Sequence, residues 1–315
     1  QTLLQNSTDQ PIAPPSTVYL CFRIPCNALA GHNCFCSQVP LPESLAPNAV
    51  PYIVFNGLNW PRTEVTAVKL PPSPVPGLSW QVLTPSGEFI SCQQQVSLSI
   101  DLPEDQPETL LFLAEGIPSV GYRLYWLVPA PPAETTRETP NDFTLENTRL
   151  KVTVDDNTGD LHSLYDKLSG KEVLRASGNQ LQAFQDGGQY WDAWNIAPDY
   201  AEHPLPQTQL QSIQWIEYGS LRQRLRVVRT LNAGNATSTF TQDYVLDYAS
   251  PIVRIETTAD WQGDQVVLKT AFPVNLQAPR ATFETAYGAI ARTTQPQTPQ
   301  EKAQWEVPGI RWADL

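Results

Sequence analysis

The segment Leu221-Arg-Gln-Arg-Leu-Arg-Val-Val-Arg-Thr-Leu231 and the next one, Ser238-Thr-Phe-Thr-Gln-Asp-Tyr-Val-Leu-Asp-Tyr248, decide the fold of this chain. In both, apolar and polar residues alternate, which is typical of a β-strand with one buried face. Further segments of this kind are residues 210–218, 252–261 and 265–274. Together they predict long antiparallel strands with a polar alternate face, as a large open β-sandwich requires.

Three arginines of the first segment, Arg222, Arg224 and Arg226, fall on one face of the predicted strand. The acidic residues expected opposite them are Asp243, Asp247 and Glu256. Opposite charges on adjacent strands stabilise a sheet, so we predict a cross-strand ladder of ion pairs. A role of the arginines in substrate binding is the alternative.

A hairpin is predicted ahead of these strands. Residues 145–154 alternate as one strand, Asp155-Asp-Asn-Thr-Gly159 has the composition of a turn, and residues 161–165 resume the strand pattern. The sequence stops at Leu315 within an apolar element. We therefore predict one large β-sandwich over residues 141–315, truncated at its C-terminus.

The preceding part of the chain is also predicted to be mainly β. Short apolar segments in residues 51–130 are separated by Pro- and Gly-rich turns, at the spacing of a small immunoglobulin-like β-sandwich. Residues 131–140 have the composition of a semi-rigid, Pro-rich linker. Residues 1–50 contain many prolines without clear periodicity, so we predict an irregular connector there.

Charge and hydropathy limit the classes of partner. The net charge of −12 and the pI near 4.7 argue against nucleic acid, because proteins that bind phosphate backbones gather Lys and Arg on one face. No apolar run approaches the roughly 18 residues of a membrane span, so we expect no membrane partner. Neutral ligands suit this composition better.

Four of the five cysteines, Cys21, Cys26, Cys34 and Cys36, lie close together with His32 among them. A zinc site is one interpretation, but the spacing differs from the paired motifs of structural zinc sites. The interpretation we favour is free thiols in a reducing compartment, which predicts a cytoplasmic location.

Residues 179–203 combine aromatic rings with carboxylates and form neither a strand nor a helix pattern, since they contain Gly187-Gly188 and Pro198. The candidate substrate-binding residues in this loop are Asp186, Tyr190, Trp191, Asp192 and Trp194. Such a set suits a sugar, whose C–H face stacks on rings while its hydroxyls donate to carboxylates. In the alternative, the tryptophans close one end of the sandwich and the acids bond the loop's own backbone.

Four segments support a family assignment. They are Val54-Phe-Asn-Gly-Leu-Asn-Trp-Pro-Arg62, Leu145-Glu-Asn147 with Leu161-His-Ser-Leu-Tyr-Asp-Lys167, Tyr190-Trp-Asp-Ala-Trp-Asn-Ile196, and Ala286-Tyr-Gly-Ala-Ile-Ala-Arg292 with Trp305-Glu-Val-Pro308 and Arg311-Trp-Ala-Asp-Leu315. In this order they resemble glycoside hydrolase family 38, the retaining α-mannosidases, although Asn195 replaces the usual acid. The resemblance implies the middle and C-terminal β-sandwich region, in which the larger domain is a galactose mutarotase-like antiparallel supersandwich.

The resemblance also implies what the complete enzyme does. It would hydrolyse terminal α-mannosides with retention, using a nucleophile and an acid/base carboxyl, with zinc gripping two sugar hydroxyls. In the family those groups lie mainly in an N-terminal catalytic domain that is missing here, so we assign no catalytic residue, metal ligand or cofactor to this fragment. It is expected to be an inactive β-scaffold that adds its aromatic loop to the sugar cleft. The expected partners are mannose-containing glycans and the missing domain.

Two other functions are compatible with the sequence. A stand-alone carbohydrate-binding β-sandwich module would bind mannosides by itself. A mutarotase-like epimerase would need a general acid and a general base, for which the chain offers His162 and Glu172.

Overall fold

The computed structural model describes nine stretches of the chain. They are residues 17–22, 35–40, 49–72, 76–95, 109–131, 138–187, 195–233, 236–304 and 306–315. The chain divides into two compact units, unit 1 with residues 1–96 and 103–135 and unit 2 with residues 97–102 and 136–315. The division falls within residues 131–140, which the composition predicts to be a linker.

In the part of unit 1 that the structure describes, there are nine strands. They are β1 (Thr17–Phe22), β2 (Phe35–Pro40), β3 (Val50–Asn56), β4 (Arg62–Lys69), β5 (Ser79–Leu83), β6 (Phe89–Ile90), β7 (Cys92–Gln95), β8 (Thr109–Ile117) and β9 (Gly121–Ala130). Strands β1 and β2 pair antiparallel, which corrects the prediction that residues 1–50 are irregular. The sequence Val18-Tyr-Leu-Cys-Phe22 has a strand-forming composition, but it is short and lies in a proline-rich region, so the pattern did not predict a strand. In the backbone register Cys21 lies opposite Cys36.

The other strands of unit 1 form two antiparallel sheets, in the orders β3-β9-β5-β6 and β4-β8-β7. Side chains from both sheets share one core. It includes Val68, Trp80, Val82, Leu110, Phe112, Tyr125 and Leu127. Two sheets around a common core make a small β-sandwich, in keeping with the mainly β fold that the turn spacing predicts.

The described residues of unit 2 form thirteen strands and one short helix. They are β10 (Thr144–Glu146), β11 (Leu150–Val154), β12 (Leu161–Asp166), β13 (Lys171–Glu172), β14 (Gln180–Gln185), β15 (Gln209–Tyr218), β16 (Arg222–Ala233), β17 (Ala236–Asp247), β18 (Val253–Asp260), β19 (Val266–Ala271), β20 (Arg280–Thr285), β21 (Gly288–Thr293), α1 (Pro299–Lys302) and β22 (Ala313–Asp314). A one-turn 3-10 helix spans Tyr200–Glu202. In the part of the chain that the structure describes, no helix has the length and apolarity needed to cross a membrane.

The sheet β15-β16-β17-β18 is the centre of unit 2. One of its faces buries Leu225 and Tyr244 against β10, β11 and β12, and Leu231 and Phe240 against β14 and β19. The alternation in residues 221–231 and 238–248 therefore predicted the central strands and their buried face correctly. Residues 265–274 form a strand as expected, but β19 pairs with β14 in a separate two-stranded sheet.

The opposite face of this sheet carries the predicted ion-pair ladder, which is confirmed. The pairs are Arg222–Asp247 (2.6 Å), Arg224–Asp243 (3.0 Å), Arg224–Glu256 (2.9 Å) and Arg226–Asp243 (2.8 Å). Partial burial alone would raise the pKa of the Asp243 carboxyl, but hydrogen bonds from the two arginines hold that pKa below its ordinary value. The arginines therefore hold the sheet together.

Residues 145–154 form two strands rather than the single strand that their alternation predicts. The chain turns at Asn147, whose side-chain oxygen accepts hydrogen bonds from the backbone N–H groups of Arg149 and Leu150, both at 2.8 Å. Its amide nitrogen donates to the carbonyls of Asp247 (2.7 Å) and Ser250 (2.9 Å). A side chain that bonds its own backbone competes with the strand, so β10 ends and β11 folds back beside it.

Candidate functional site

The aromatic loop leaves β14 and returns to the same place. A side-chain oxygen of Asp186 accepts a hydrogen bond from the backbone N–H of Ala197 at 2.8 Å. The backbone N–H of Asp186 donates to the carbonyl of Gln265 at 2.8 Å. The two described ends of the loop are thus joined at its base. We call residues 184–186 and 197–205 the loop neck.

Backbone hydrogen bonds extend the closure of the loop neck. The N–H of Gln185 donates to the carbonyl of His203, and the N–H of Leu205 donates to that of Ala183, both at 2.9 Å. The side-chain amide of Gln185 also donates to Gln265 at 2.8 Å. The returning limb therefore runs beside β14, on the opposite side from β19.

A cluster of three polar side chains, which we call the clasp, holds the returning limb. It consists of Tyr200, Lys269 and Glu306. Tyr200 is only 8% exposed, and its ring lies edge-on to that of Phe184, with the ring centroids 5.2 Å apart. The Lys269 ammonium lies 4.8 Å from the Tyr200 ring centroid and donates to its hydroxyl and, at 2.6 Å, to Glu306. The Tyr200 hydroxyl also donates to Glu306.

The clasp shifts the pKa values of its two charged members in opposite directions. Partial burial alone would raise the pKa of the Glu306 carboxyl, but hydrogen bonds from Lys269 and Tyr200 bring it below its ordinary value. Burial alone would lower the pKa of Lys269, and the bond to Glu306 outweighs it and raises that pKa. Both groups are therefore charged at neutral pH.

Replacing Glu306 with glutamine is expected to loosen the loop neck in a pH-dependent way. A carboxyl with a lowered pKa stabilises the fold above its unfolded pKa, and this contribution is lost as pH falls through the folded pKa. With about a third of the side chain in water, we expect a loss of about 0.5–1 kcal/mol at pH 7. The loss should disappear well below the ordinary pKa of 4.5.

Urea unfolding and amide hydrogen exchange at His203 and Leu205, at pH 7 and pH 3, would measure this effect. Glu202→Gln is the control, since this exposed acid lies two residues from Tyr200 and outside the clasp. An equal loss at both pH values would contradict a charge-based clasp.

The structure places one of the five predicted sugar-binding residues. Asp186 lies in the loop neck and bonds the loop's backbone, as the alternative interpretation of the acids predicted. Tyr190, Trp191, Asp192 and Trp194 lie outside the described residues, so their role in sugar binding stays a prediction.

The clasp was not foreseen. Glu306 follows Trp305 in a segment that resembles the family, and this was the available signal. Lys269 stands at an ordinary position of a strand, and no sequence pattern distinguishes it.

Glu172, the acid suggested for an epimerase, is engaged in structural hydrogen bonds. The Glu172 carboxylate accepts hydrogen bonds from the Ser163 hydroxyl (2.6 Å) and from the backbone N–H groups of Leu164 (2.9 Å) and Leu174 (3.0 Å). Burial alone would raise the pKa of Glu172, but these bonds lower it. Glu172 thus links β12 to residues 172–174 through hydrogen bonds. Because its carboxylate oxygens accept these bonds, the arrangement does not favour acid–base chemistry.

The histidines and acids of the described residues do not form a metal site. Across the described ranges, His, Cys, Asp and Glu side chains do not meet in groups of three or more that fit a metal ion. His203, for example, has only Asp199 beside it, with 3.5 Å between Nε2 and Oδ2. The described residues therefore offer no ligand set for a zinc ion, which the resemblance places in polypeptide outside this chain.

Comparison with known proteins identifies the family. Residues 145–315 match the family described as "Glycosyl hydrolases family 38 C-terminal domain". Because this match covers more than half of the chain, the chain belongs to glycosyl hydrolase family 38. The predicted family is confirmed.

Relatives and solved structures agree. The chain is 29% identical to mouse alpha-mannosidase 2C1 over 89% of its own length and 24% of that protein. It is 32% identical to the human alpha-mannosidase 2C1 over 63% of its own length and 20% of that protein. It thus spans about a quarter or less of these relatives. An alpha-mannosidase structure from Enterococcus faecalis V583 has the same fold, with a TM-score of 0.61 and 14% identity over 82% of this chain and 35% of that one.

Proposed function

We propose that this chain is a non-catalytic β-scaffold of a retaining, zinc-dependent α-mannosidase that removes terminal α-mannosides. In this proposal its aromatic loop forms part of the sugar cleft. The proposal is supported by the family, by relatives that are alpha-mannosidases and by the small share of their length that the chain spans. The nucleophile, the acid/base carboxyl and the zinc ligands would belong to polypeptide outside this chain, and the protein would work in the cytoplasm.

The closed loop neck is the main structural support for the proposed role of the aromatic loop in sugar binding. A sugar-binding ring must be held within a fraction of an ångström of its productive position, and a loop does this only if its base is fixed. Here both ends are fixed: Asp186 bonds Ala197 and Gln265, and Tyr200 is held by Lys269 and Glu306. A rigid base suits rings that stack on a sugar beside carboxylates.

Replacing Trp191 with alanine in the full-length enzyme tests the proposal. We expect kcat/KM on an aryl α-mannoside to fall about 5- to 30-fold, since loss of one aromatic contact costs about 1–2 kcal/mol of transition-state binding. Trp312→Ala is the matched control in unit 2, because this tryptophan is about half exposed, directly precedes β22 and is bonded through its backbone carbonyl to Glu284, which is not part of the loop neck. Unchanged kcat/KM for Trp191→Ala would end the proposed role of the loop.

Binding measurements on the isolated 315-residue chain distinguish a scaffold function from that of a free-standing carbohydrate-binding module. Titration with methyl α-mannoside should leave its tryptophan fluorescence nearly unchanged and should give no turnover. Saturable binding at micromolar concentrations would support a binding module instead, and hydrolysis at enzymatic rates would overturn the non-catalytic assignment.

A further inference from the structure

Unit 1 exposes a group of large apolar side chains at one end of its four-stranded sheet. We call Phe55, Leu58, Trp60, Val120 and Tyr122 the apolar patch. Val120 is 75% exposed and Trp60 is 55% exposed, and the rings of Phe55 and Tyr122 touch, with centroids 5.7 Å apart. Single exposed apolar residues are ordinary, but five of them on two hydrogen-bonded segments, residues 55–60 and 120–122, are typical of an interaction surface.

A buried asparagine holds the patch in shape. Asn56 is 2% exposed, and its amide donates to the carbonyls of Trp60 (2.7 Å) and Pro118 (3.0 Å). Its oxygen accepts from the N–H of Leu58 at 3.0 Å. The N–H of Val120 donates to the carbonyl of Leu58 at 2.8 Å. The loop after β3 and the turn before β9 are therefore tied together, and the patch is preorganised.

Val120 is in an unfavourable backbone conformation. Its φ of +43° lies in the left-handed region, which β-branched residues rarely adopt and which costs about 1–3 kcal/mol. Glycine or asparagine would fit this turn better. The strained Val120 side chain projects into solvent and does not pack in the core of unit 1. Any contribution it makes is therefore at the surface.

The patch continues a sheet face that is already buried. Phe55 and Tyr122 are cross-strand partners, and alternation along β9 places Tyr122 on the same face as Trp126 and Val128. Trp126 and Val128 are fully or almost fully buried and pack with Leu83. A sheet whose second face is apolar along its length is normally covered by polypeptide on that face.

The chemistry of the patch favours a polypeptide over a sugar. The patch contains two aliphatic side chains, and the Phe55 and Tyr122 rings are tilted by 52° to each other rather than forming a flat platform. None of its five side chains is charged. The centre of a protein–protein interface has this composition, with aromatic residues enriched and charges depleted.

We propose that the apolar patch docks the part of the α-mannosidase polypeptide that the relatives carry outside the region matched by this chain. This identity of the occupant rests on the proposed function. The mouse relative has about three quarters of its length outside the match, and the human relative has more. A surface of this kind is the contact expected between two parts of one enzyme.

A binding experiment with separate polypeptides tests the surface. The probe is the unmatched part of mouse alpha-mannosidase 2C1, added to this chain and followed by calorimetry and by hydrogen exchange. We expect a complex with protection at residues 55–60 and 118–122. Trp60→Ser and Tyr122→Ser should each weaken binding at least about tenfold, since Trp and Tyr dominate such contacts. Tyr248→Ser and Leu168→Ser, exposed apolar positions of unit 2, are the controls.

Each other outcome counts against the proposal. Absence of a complex with the wild-type chain, or equal binding by Trp60→Ser, would overturn it. Self-association of the chain that Trp60→Ser abolishes would assign the patch to a second copy, and saturable binding of mannan lost in the same variant would assign it to a glycan. Because the assay needs no turnover, its failure is distinct from failure of the proposed role of Trp191.

Discussion

Replacing Arg229 with methionine is expected to lower the free energy of unfolding by about 3–5 kcal/mol, because it leaves a buried network without its cation. The Arg229 side chain is fully buried. Its guanidinium lies 2.9 Å from the Asp160 carboxylate and donates to the carbonyls of Gly159 and Asn179. Tyr244 joins the same network through Gly159 at 2.9 Å. Urea denaturation of the variant would measure the loss.

Arg254→Met is the control for this experiment. Its ion pair with Asp247 is 2.9 Å long, but the side chain is nearly half exposed, so the expected loss is below about 1 kcal/mol. The pH dependence gives a second check. Burial raises the pKa of Asp160 and the Arg229 charge opposes this rise, so the variant should bind a proton there more readily. Its deficit should then shrink as pH falls toward 4. Equal losses for the two variants would contradict the network.

Gly159→Ala is expected to be the other severe change, with a loss of about 3–4 kcal/mol from backbone strain and overpacking together. Gly159 has a φ of +74°. A β-carbon there would overlap Cγ1 of Val227 and would lie 3.1 Å from Nε of Arg229. The turn before β12 therefore approaches β16 as closely as a residue without a side chain allows. Thermal or urea unfolding would show the loss.

Gly170→Ala is the control that distinguishes the cost of the backbone conformation from the cost of steric overlap with Val227. Its φ of +67° is similar, but the nearest atom to an added β-carbon would be the Tyr165 hydroxyl at 3.7 Å. It should lose only about 1 kcal/mol, the cost of the backbone conformation. Val227→Ala should also recover part of the Gly159→Ala loss, because it removes the overlapping methyl groups. Equal losses of unfolding free energy for Gly159→Ala and Gly170→Ala would show that steric overlap with Val227 does not destabilise the fold.

The fold was predictable where local pattern and tertiary contacts agree. Alternation in β16 and β17 set their buried face, and it also set the partners of Arg222, Arg224 and Arg226. The prediction was wrong where one side chain overrides the pattern: Asn147 bonds its own backbone and that of residues 247 and 250, so an alternating segment folds back on itself. Such a bond depends on a distant carbonyl, which local sequence does not show.

The candidate site was predictable only in part for a similar reason. The aromatic and acidic composition marked residues 179–203, and Asp186, predicted to bind sugar, bonds the backbone at the base of the loop. Tyr200 meets Lys269 and Glu306 across 69 and 106 residues of sequence, and no periodicity links positions so far apart. Three residues of the apolar patch, Phe55, Leu58 and Trp60, lie in the segment Val54-Phe-Asn-Gly-Leu-Asn-Trp60 that resembles the family, but Val120 and Tyr122 join them only when β3 and β9 are paired.

The joined ends of the aromatic loop have a consequence for how such enzymes diversify. Since residues 186 and 197 are held side by side, the intervening ten residues form a cassette whose contents can be exchanged without moving β14 or β19. Under the function proposed for this loop, duplicated genes could vary the residues that contact the sugar while β14 and β19 stay unchanged.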